Sequence, residues 1–276
     1  MIEIGKFHEL AVLAEVAAGV YLDAGKGEEI LLPRKYVPAG TLPGGNVRVF
    51  VLRDSEDRLL ATTQMPKAVA GEYACLRAKE VTELGAFLDW GLDKDLFVPF
   101  KEQKHRMMAG QNYVVRVCVD VKTDRIIGTS RLERYLSHDV AGLAEGQKVE
   151  LMVYDFTDLG MLCVVDRNYY GMLYRNETFE LLEIGQLCTG YIKRVREDGK
   201  LDVTLQPQGY DAALEAMPAI LEALKLAGGS LPYNAKTDAD EIARVFRMSK
   251  KVFKKAVGGL YKERKIVVTD AGIRLP

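Results

Sequence analysis

The chain has one tryptophan, three histidines and four cysteines among 276 residues. Cys75, Cys118, Cys163 and Cys188 are widely spaced and form no CxxC pair, which removes a zinc ribbon and a dithiol redox motif. Such cysteines are expected as small buried hydrophobes in a reducing cytoplasm. His8, His105 and His138 lie in separate segments, so no metal or catalytic cluster is anticipated around them. There is no GxxxxGK[ST], HExxH or GxSxG stretch. Acid pairs such as Glu28-Glu29 and Asp93/Asp95 fall in expected turns, where carboxylates are solvated. No apolar run approaches the ~18–20 residues that span a bilayer, and MIEIGKFHEL is no charged leader before an apolar stretch. The expectation is a non-enzymatic cytoplasmic protein with no cofactor, no metal and no membrane.

What the chain does have is a repeat. AAGVYLDAGKGEEILLPRK, LGAFLDWGLDKDLFVPFKEQ and DLGMLCVVDRNYYGMLYRNE share a glycine, an alternating strand, a turn and a short apolar strand. Their glycines, Gly19, Gly85 and Gly160, stand 66 and 75 residues apart. A strand precedes each glycine (LAVLAEV, YACLRAKEV, VELMVYDF). Two more follow: NVRVFVLRD, NYVVRVCVD and QLCTGYIKRVRED, then DRLLATT, DRIIGTS and GKLDVTL. Period-two alternation with Asp/Gly punctuation predicts strands joined by tight turns. Five strands in roughly 65 residues suit a small barrel, which removes exposed sheet edges. Arg131–Gln147 is expected to be a linker with a short helix.

From Asp211 the period becomes helical. Leu214, Met217, Ile220, Leu221, Leu224 and Leu226 recur at helical spacing until Gly228-Gly229. DADEIARVFRM predicts a second helix with acids in its first turn. Ser249 is the expected N-cap of a third, with Val252, Phe253, Val257, Leu260 and Tyr261 on one face. IVVTDAGIRL closes the chain as a hairpin. Three helices and a small hairpin are the layout of a winged helix. The expected fold is multidomain and mainly β with an α+β C-terminus. Its domains are five-stranded barrels at 1–66, 67–142 and 143–207 and a winged helix at 208–276.

The net charge of −1 conceals a polarity. The four segments carry −2, +1, −4 and +4 in order, and from Arg244 to Lys265 there are nine basic residues against Glu263 alone. Lys250, Lys251, Lys254 and Lys255 on the third helix are either a solvated face or the electrostatic footprint of a nucleic acid. The footprint is the preferred reading, because the charge is one-sided and sits on the third helix of such a motif. That helix lacks Asn, Gln and Arg between Ser249 and Tyr261, so it is suited to phosphate contact more than to base reading.

GAFLDWG, LFVPFKEQ, the later DR…TS strand, GMLYRNE and IGQLCTGYIKRV make the repeats resemble S1-type RNA-binding domains of the OB-fold. Three of them followed by a winged helix resemble the conserved virulence factor B family of bacterial RNA-binding proteins. The resemblance implies a platform with one aromatic on the second strand, another on the third and a basic residue near the fifth. Carried over, it implies Phe87, Phe97 and Arg125 in the second barrel, and Tyr21 with Arg58 in the first, where Leu31 replaces the other ring. In the third it implies Tyr174, Arg175 and Lys200, with Leu162 and Met172 at the ring positions. Alternation puts Phe87 with Asp89 on the wet face and Ala86 with Leu88 inside, with Trp90 near the rim. For Phe97 the same argument leaves both faces open. The expected partner is single-stranded RNA, held mostly by the second barrel and the C-terminal helix. DNA regulation through the winged helix, or a protein scaffold, are the alternatives.

Overall fold

The computed structural model describes all residues except 1, 55, 176, 177, 179–181 and 208, and of 209–212 only the backbone. Asn176 and Glu177 of the GMLYRNE stretch, and Gln208 at the expected start of the last domain, therefore lie outside the described residues. The chain forms two compact units, Met1–Tyr135 and Leu136–Pro276, and the break falls inside the Arg131–Gln147 stretch.

The first unit holds two barrels. β1 (Phe7–Val16), β2 (Gly19–Gly25), β3 (Glu28–Pro33), β4 (Asn46–Arg53) and β5 (Leu59–Thr62) close in the order β1-β2-β3-β5-β4, with β3 parallel to β5. β6 (Tyr73–Val81), β7 (Gly85–Asp89), β8 (Leu96–Pro99), β9 (Asn112–Val119) and β10 (Ile126–Thr129) repeat that order but leave the ladder open between β8 and β10. The repeat glycines have a steric cause. At Gly19 (φ +152°) a Cβ would fall on the carbonyl oxygen of Leu32 in the facing strand; at Gly160 (φ +154°) it would fall on that of Leu173. Only glycine permits so close an approach.

The first two barrels share apolar packing. Phe50 and Leu52 of the first join Leu88, Trp90 and Leu92 of the second in one buried cluster. Trp90 is only 3% exposed, donates Nε1–H to the Lys94 carbonyl at 2.6 Å, and meets Phe50 edge-on. It is thus a plug between barrels rather than a rim residue. Polar contacts reinforce the joint. Asp93 accepts from Lys35 Nζ at 2.5 Å, Tyr36 Oη at 2.8 Å and Gln64 Nε2 at 2.6 Å.

The second unit holds the third barrel, β11 (Lys148–Phe156), β12 (Gly160–Val165), β13 (Tyr169–Tyr174), β14 (Leu187–Val195) and β15 (Leu201–Thr204), closed in the same order as the first. α1 (Gly209–Leu226), β16 (Ser230–Leu231), α2 (Ala239–Phe246), α3 (Lys250–Lys262), β17 (Val267–Thr269) and β18 (Gly272–Arg274) follow. Asp238 and Ser249 cap α2 and α3 through their side chains. Met217, Ile220, Leu224, Phe253, Val257 and Leu260 make the core. Gly259 lets α3 approach Met217 of α1. Three residues assigned to the apolar faces lie outside: Leu214 and Leu226 are 44% and 83% exposed, and Tyr261 is 58% exposed. Leu214 and Tyr261 sit about a quarter turn off the buried stripe, and Leu226 nearly opposite it, where a helix of 3.6 residues per turn carries them toward solvent. Among the described residues, no helix is long and apolar enough to cross a membrane.

Candidate nucleic-acid interface

β7 alternates as its sequence requires. Ala86 and Leu88 are fully buried, while Phe87 and Asp89 stay half-buried on the outer face. β8 does the same with Leu96 and Val98 inside and Phe97 and Pro99 outside. Antiparallel register sets Phe87 directly opposite Phe97. Their ring centroids are 5.0 Å apart at 36°, and neither ring belongs to the core cluster. The register thus settles the face of Phe97, which alternation alone left open. The Phe97 ring lies over Gly85, where a Cβ would come 2.8 Å from its Cε2. Beside the rings, Asp89 bonds Lys67 at 3.2 Å and stands 3.9 Å from Lys79. The Lys67 bond holds its carboxyl below the ordinary range.

Sequence reasoning missed Arg106. Its guanidinium stacks 3.7 Å from the Phe100 centroid, and Phe100 donates its N–H to the Leu84 carbonyl just before β7. The available signal was the run Lys104-His105-Arg106 soon after an aromatic.

In the first barrel Tyr21 faces Leu31 across the same register and is half-buried. Arg58 binds Asp54 at 2.8 Å and Glu56 at 2.8 Å. Arg125 of the second barrel binds Asp57 of the first at 2.7 Å. Both arginines are thus engaged by turn carboxylates, in pairs too exposed to contribute much to stability.

The third barrel differs. Leu162 and Met172 face each other at the ring positions and are only 4% and 7% exposed, so this face offers no open platform. Tyr174 accepts from Arg196 at 2.6 Å, and Arg196 is held by Asp202. Arg175 donates to the Thr157 carbonyl at 3.2 Å. Lys200 pairs with Asp198 at 3.2 Å and lies 5.3 Å from the Tyr170 centroid.

On α3, Lys251, Lys254 and Lys255 are exposed and Lys250 is half-buried. None of these four forms an ion pair among the described residues. Gly258, on the same solvent side, has open space where a side chain would be. No group of three His, Cys, Asp or Glu side chains is placed to hold a metal among the described residues.

This architecture has known relatives. Residues 4–64 match the S1 domain family, and residues 218–275 match the CvfB-like winged helix domain family. The C-terminal region is thus similar to CvfB-like winged helix domains. The chain is 22% identical to conserved virulence factor B of Staphylococcus saprophyticus, over 99% of this chain and 94% of that protein. It is 28% identical to the uncharacterized protein YitL of Bacillus subtilis, over 90% of this chain and 85% of that one. A crystal structure of a multidomain protein with nucleic acid binding domains from Streptococcus pneumoniae aligns over 99% of both chains at 26% identity, with a TM-score of 0.45. The S1 match covers the first barrel, and the other two repeat its strand order. The CvfB-like match takes in α2, α3 and the terminal hairpin together with the later part of α1.

Proposed function

We propose that the chain is a non-enzymatic single-stranded RNA-binding protein that regulates gene expression after transcription. The observation that carries this reading is the Phe87–Phe97 pair: two rings side by side on the outer face of a barrel, outside its core. A ring so presented stacks on an unpaired base for about 1–3 kcal/mol per base, and single strands splay their bases onto such platforms. The first barrel's match to the S1 domain family supports the same reading. Tyr21 with Arg58 adds a weaker second platform. Arg125, Tyr174, Arg175 and Lys200 are assigned to backbone contact. The lysines of α3 supply phosphate contacts whose counterion release adds affinity.

Tandem modules raise local concentration, so modest contacts sum. The division into domains at 1–66, 67–142, 143–207 and 208–276 belongs to this proposal. So does the cytoplasm as the place of action, supported by four cysteines that form no disulfide. The exposed α3 face favours a second reading, duplex DNA binding through the winged helix.

Equilibrium binding of labelled single-stranded RNA, single-stranded DNA and duplex DNA at two salt concentrations tests the reading. Single-stranded RNA is expected to bind tightest, with affinity falling as salt rises. Preference for duplex DNA overturns it in favour of DNA regulation, and absence of binding to all three favours a protein scaffold.

A further inference from the structure

A cleft of about 760 Å³ lies between the two barrels of the first unit, away from the paired rings of β7 and β8. Lys6, Arg53, Gly71, Arg116, Cys118 and Tyr135 line it. We infer that this cleft binds the phosphate group of a nucleotide.

Arg116 is unusual for a half-buried guanidinium. It lies 4.4 Å from the Tyr135 centroid and 5.8 Å from that of Tyr73, and its Nη1 reaches Cys118 Sγ at 3.4 Å. It forms no ion pair with a carboxylate among the described residues. Its Nε–H is shut away from solvent and has no acceptor, and the same holds for Nε of Arg53 in the same wall. Buried donors without acceptors are costly and call for an explanation where they cluster.

The open end of Arg116 points to a defined space. Gly71 has φ +94°, and a Cβ placed on it would lie 3.7 Å from Arg116 Nη2 and 3.8 Å from Lys6 Nζ. Glycine leaves vacant the gap into which both cations reach. Lys6 likewise forms no ion pair among the described residues. Two like charges facing one gap repel, and an anion between them reverses the sign. A planar guanidinium braced on aromatic faces matches phosphate oxygens and loses little freedom on binding.

The rest of the wall narrows the ligand. Ile4, Leu59 and Val119 give it an apolar side, suited to a sugar or base. Glu3, Glu28 and Asp124 also line it, with Asp124 engaged by Arg53 at 3.4 Å. Those acids disfavour a run of phosphates, so the site takes one. That phosphate belongs to a free mononucleotide or to one link of a strand.

The full chain, labelled with nitrogen-15, is titrated with inorganic phosphate, adenosine monophosphate and a mixed-sequence single-stranded RNA, following the Gly71 amide. A saturable shift is expected with a phosphate-bearing probe, and Lys6→Gln is expected to weaken it about tenfold. Arg116→Gln should weaken it more than Arg116→Lys. If Arg116→Gln does not fold, the half-exposed Lys6 carries the test. Saturation by adenosine monophosphate assigns a free nucleotide, and a Lys6-dependent shift with RNA alone assigns a strand phosphate. No saturable shift with any probe, or wild-type binding by Lys6→Gln, overturns the site. RNA binding lost in Phe87→Ala but kept in Lys6→Gln, with no mononucleotide bound, sinks this site while the RNA reading stands. Mononucleotide binding without RNA binding does the reverse.

Discussion

The rings of Phe50 and Trp90 meet at 78° with centroids 5.8 Å apart, one from each of the first two barrels. Both are buried, so the joint between barrels is core rather than linker. Trp90→Ala removes the plug and its bond to Lys94 and leaves a cavity between the barrels. The expected cost is about 3–5 kcal/mol, read by urea denaturation followed by circular dichroism. Trp90 is the chain's only tryptophan, so native fluorescence reports this joint and should shift to the red when the first unit opens. A cost below about 1 kcal/mol would show that the barrels do not depend on the plug.

The polar side of the same joint titrates. Bonds from Lys35, then Gln64 and Tyr36, hold the Asp93 carboxyl well below its ordinary 3.8. A depressed carboxylate contributes stability that is present above its unfolded value and disappears as pH falls through the folded value. Lys35 is pushed up to about 12, first by its bond to Asp93 and next by Tyr36, so its share is present below 10.5 and is lost as pH rises through about 12. Asp93→Asn should therefore flatten the decline of Tm on the acid side, below about pH 4, and leave the slope near neutrality unchanged. The pair is exposed, so the effect is small and shrinks in salt. An unchanged acid slope removes Asp93 from the joint.

Strand periods, turn punctuation and helix caps made the elements legible: β6 to β10 and the Ser249 cap stand where the sequence placed them. Alternation also gave the face of Phe87, because Asp89 shares it. Other features depend on partners distant in the chain. The face of Phe97 follows from its register with Phe87, which no local pattern encodes. Trp90 was misplaced because its partner Phe50 is forty residues earlier in another barrel. Leu214, Leu226 and Tyr261 were placed with the apolar helix residues, because hydrophobicity marks what can be buried, and packing decides what is. Arg106 was missed because its stack on Phe100 is made by a loop closing back on itself.

Phe87 and its neighbour Leu88 separate binding from folding. Phe87→Ala should weaken single-stranded RNA binding by about 1–3 kcal/mol while costing little stability, because the ring stands outside the core. Leu88→Ala, at a fully buried position, should cost about 2–5 kcal/mol of stability. Paired titrations and urea melts check both. If Phe87→Ala costs as much stability as Leu88→Ala, the ring is packing and the platform assignment fails.

Lys254 and Lys255 lie side by side on the exposed face of α3 and form no ion pair among the described residues. Each cation that neutralises a strand phosphate releases condensed counterions, which steepens the fall of log K with log salt by about 0.7 per contact on a single strand and about 0.9 on B-DNA. Lys254→Glu combined with Lys255→Glu should therefore lower the slope by about 1.4 on RNA if both lysines touch phosphates. The exchange leaves the buried stripe of Phe253, Val257 and Leu260 untouched, so the thermal melt of the winged helix should stay in place. A weaker affinity with an unchanged slope would mean that the exchange acts by something other than lost phosphate contacts, since charge effects at any range are screened by salt, and an unchanged affinity would remove α3 from the interface. Comparing the same variant on duplex DNA adds a discriminating arm. If α3 serves duplex rather than single strand, the slope loss appears there and not on RNA.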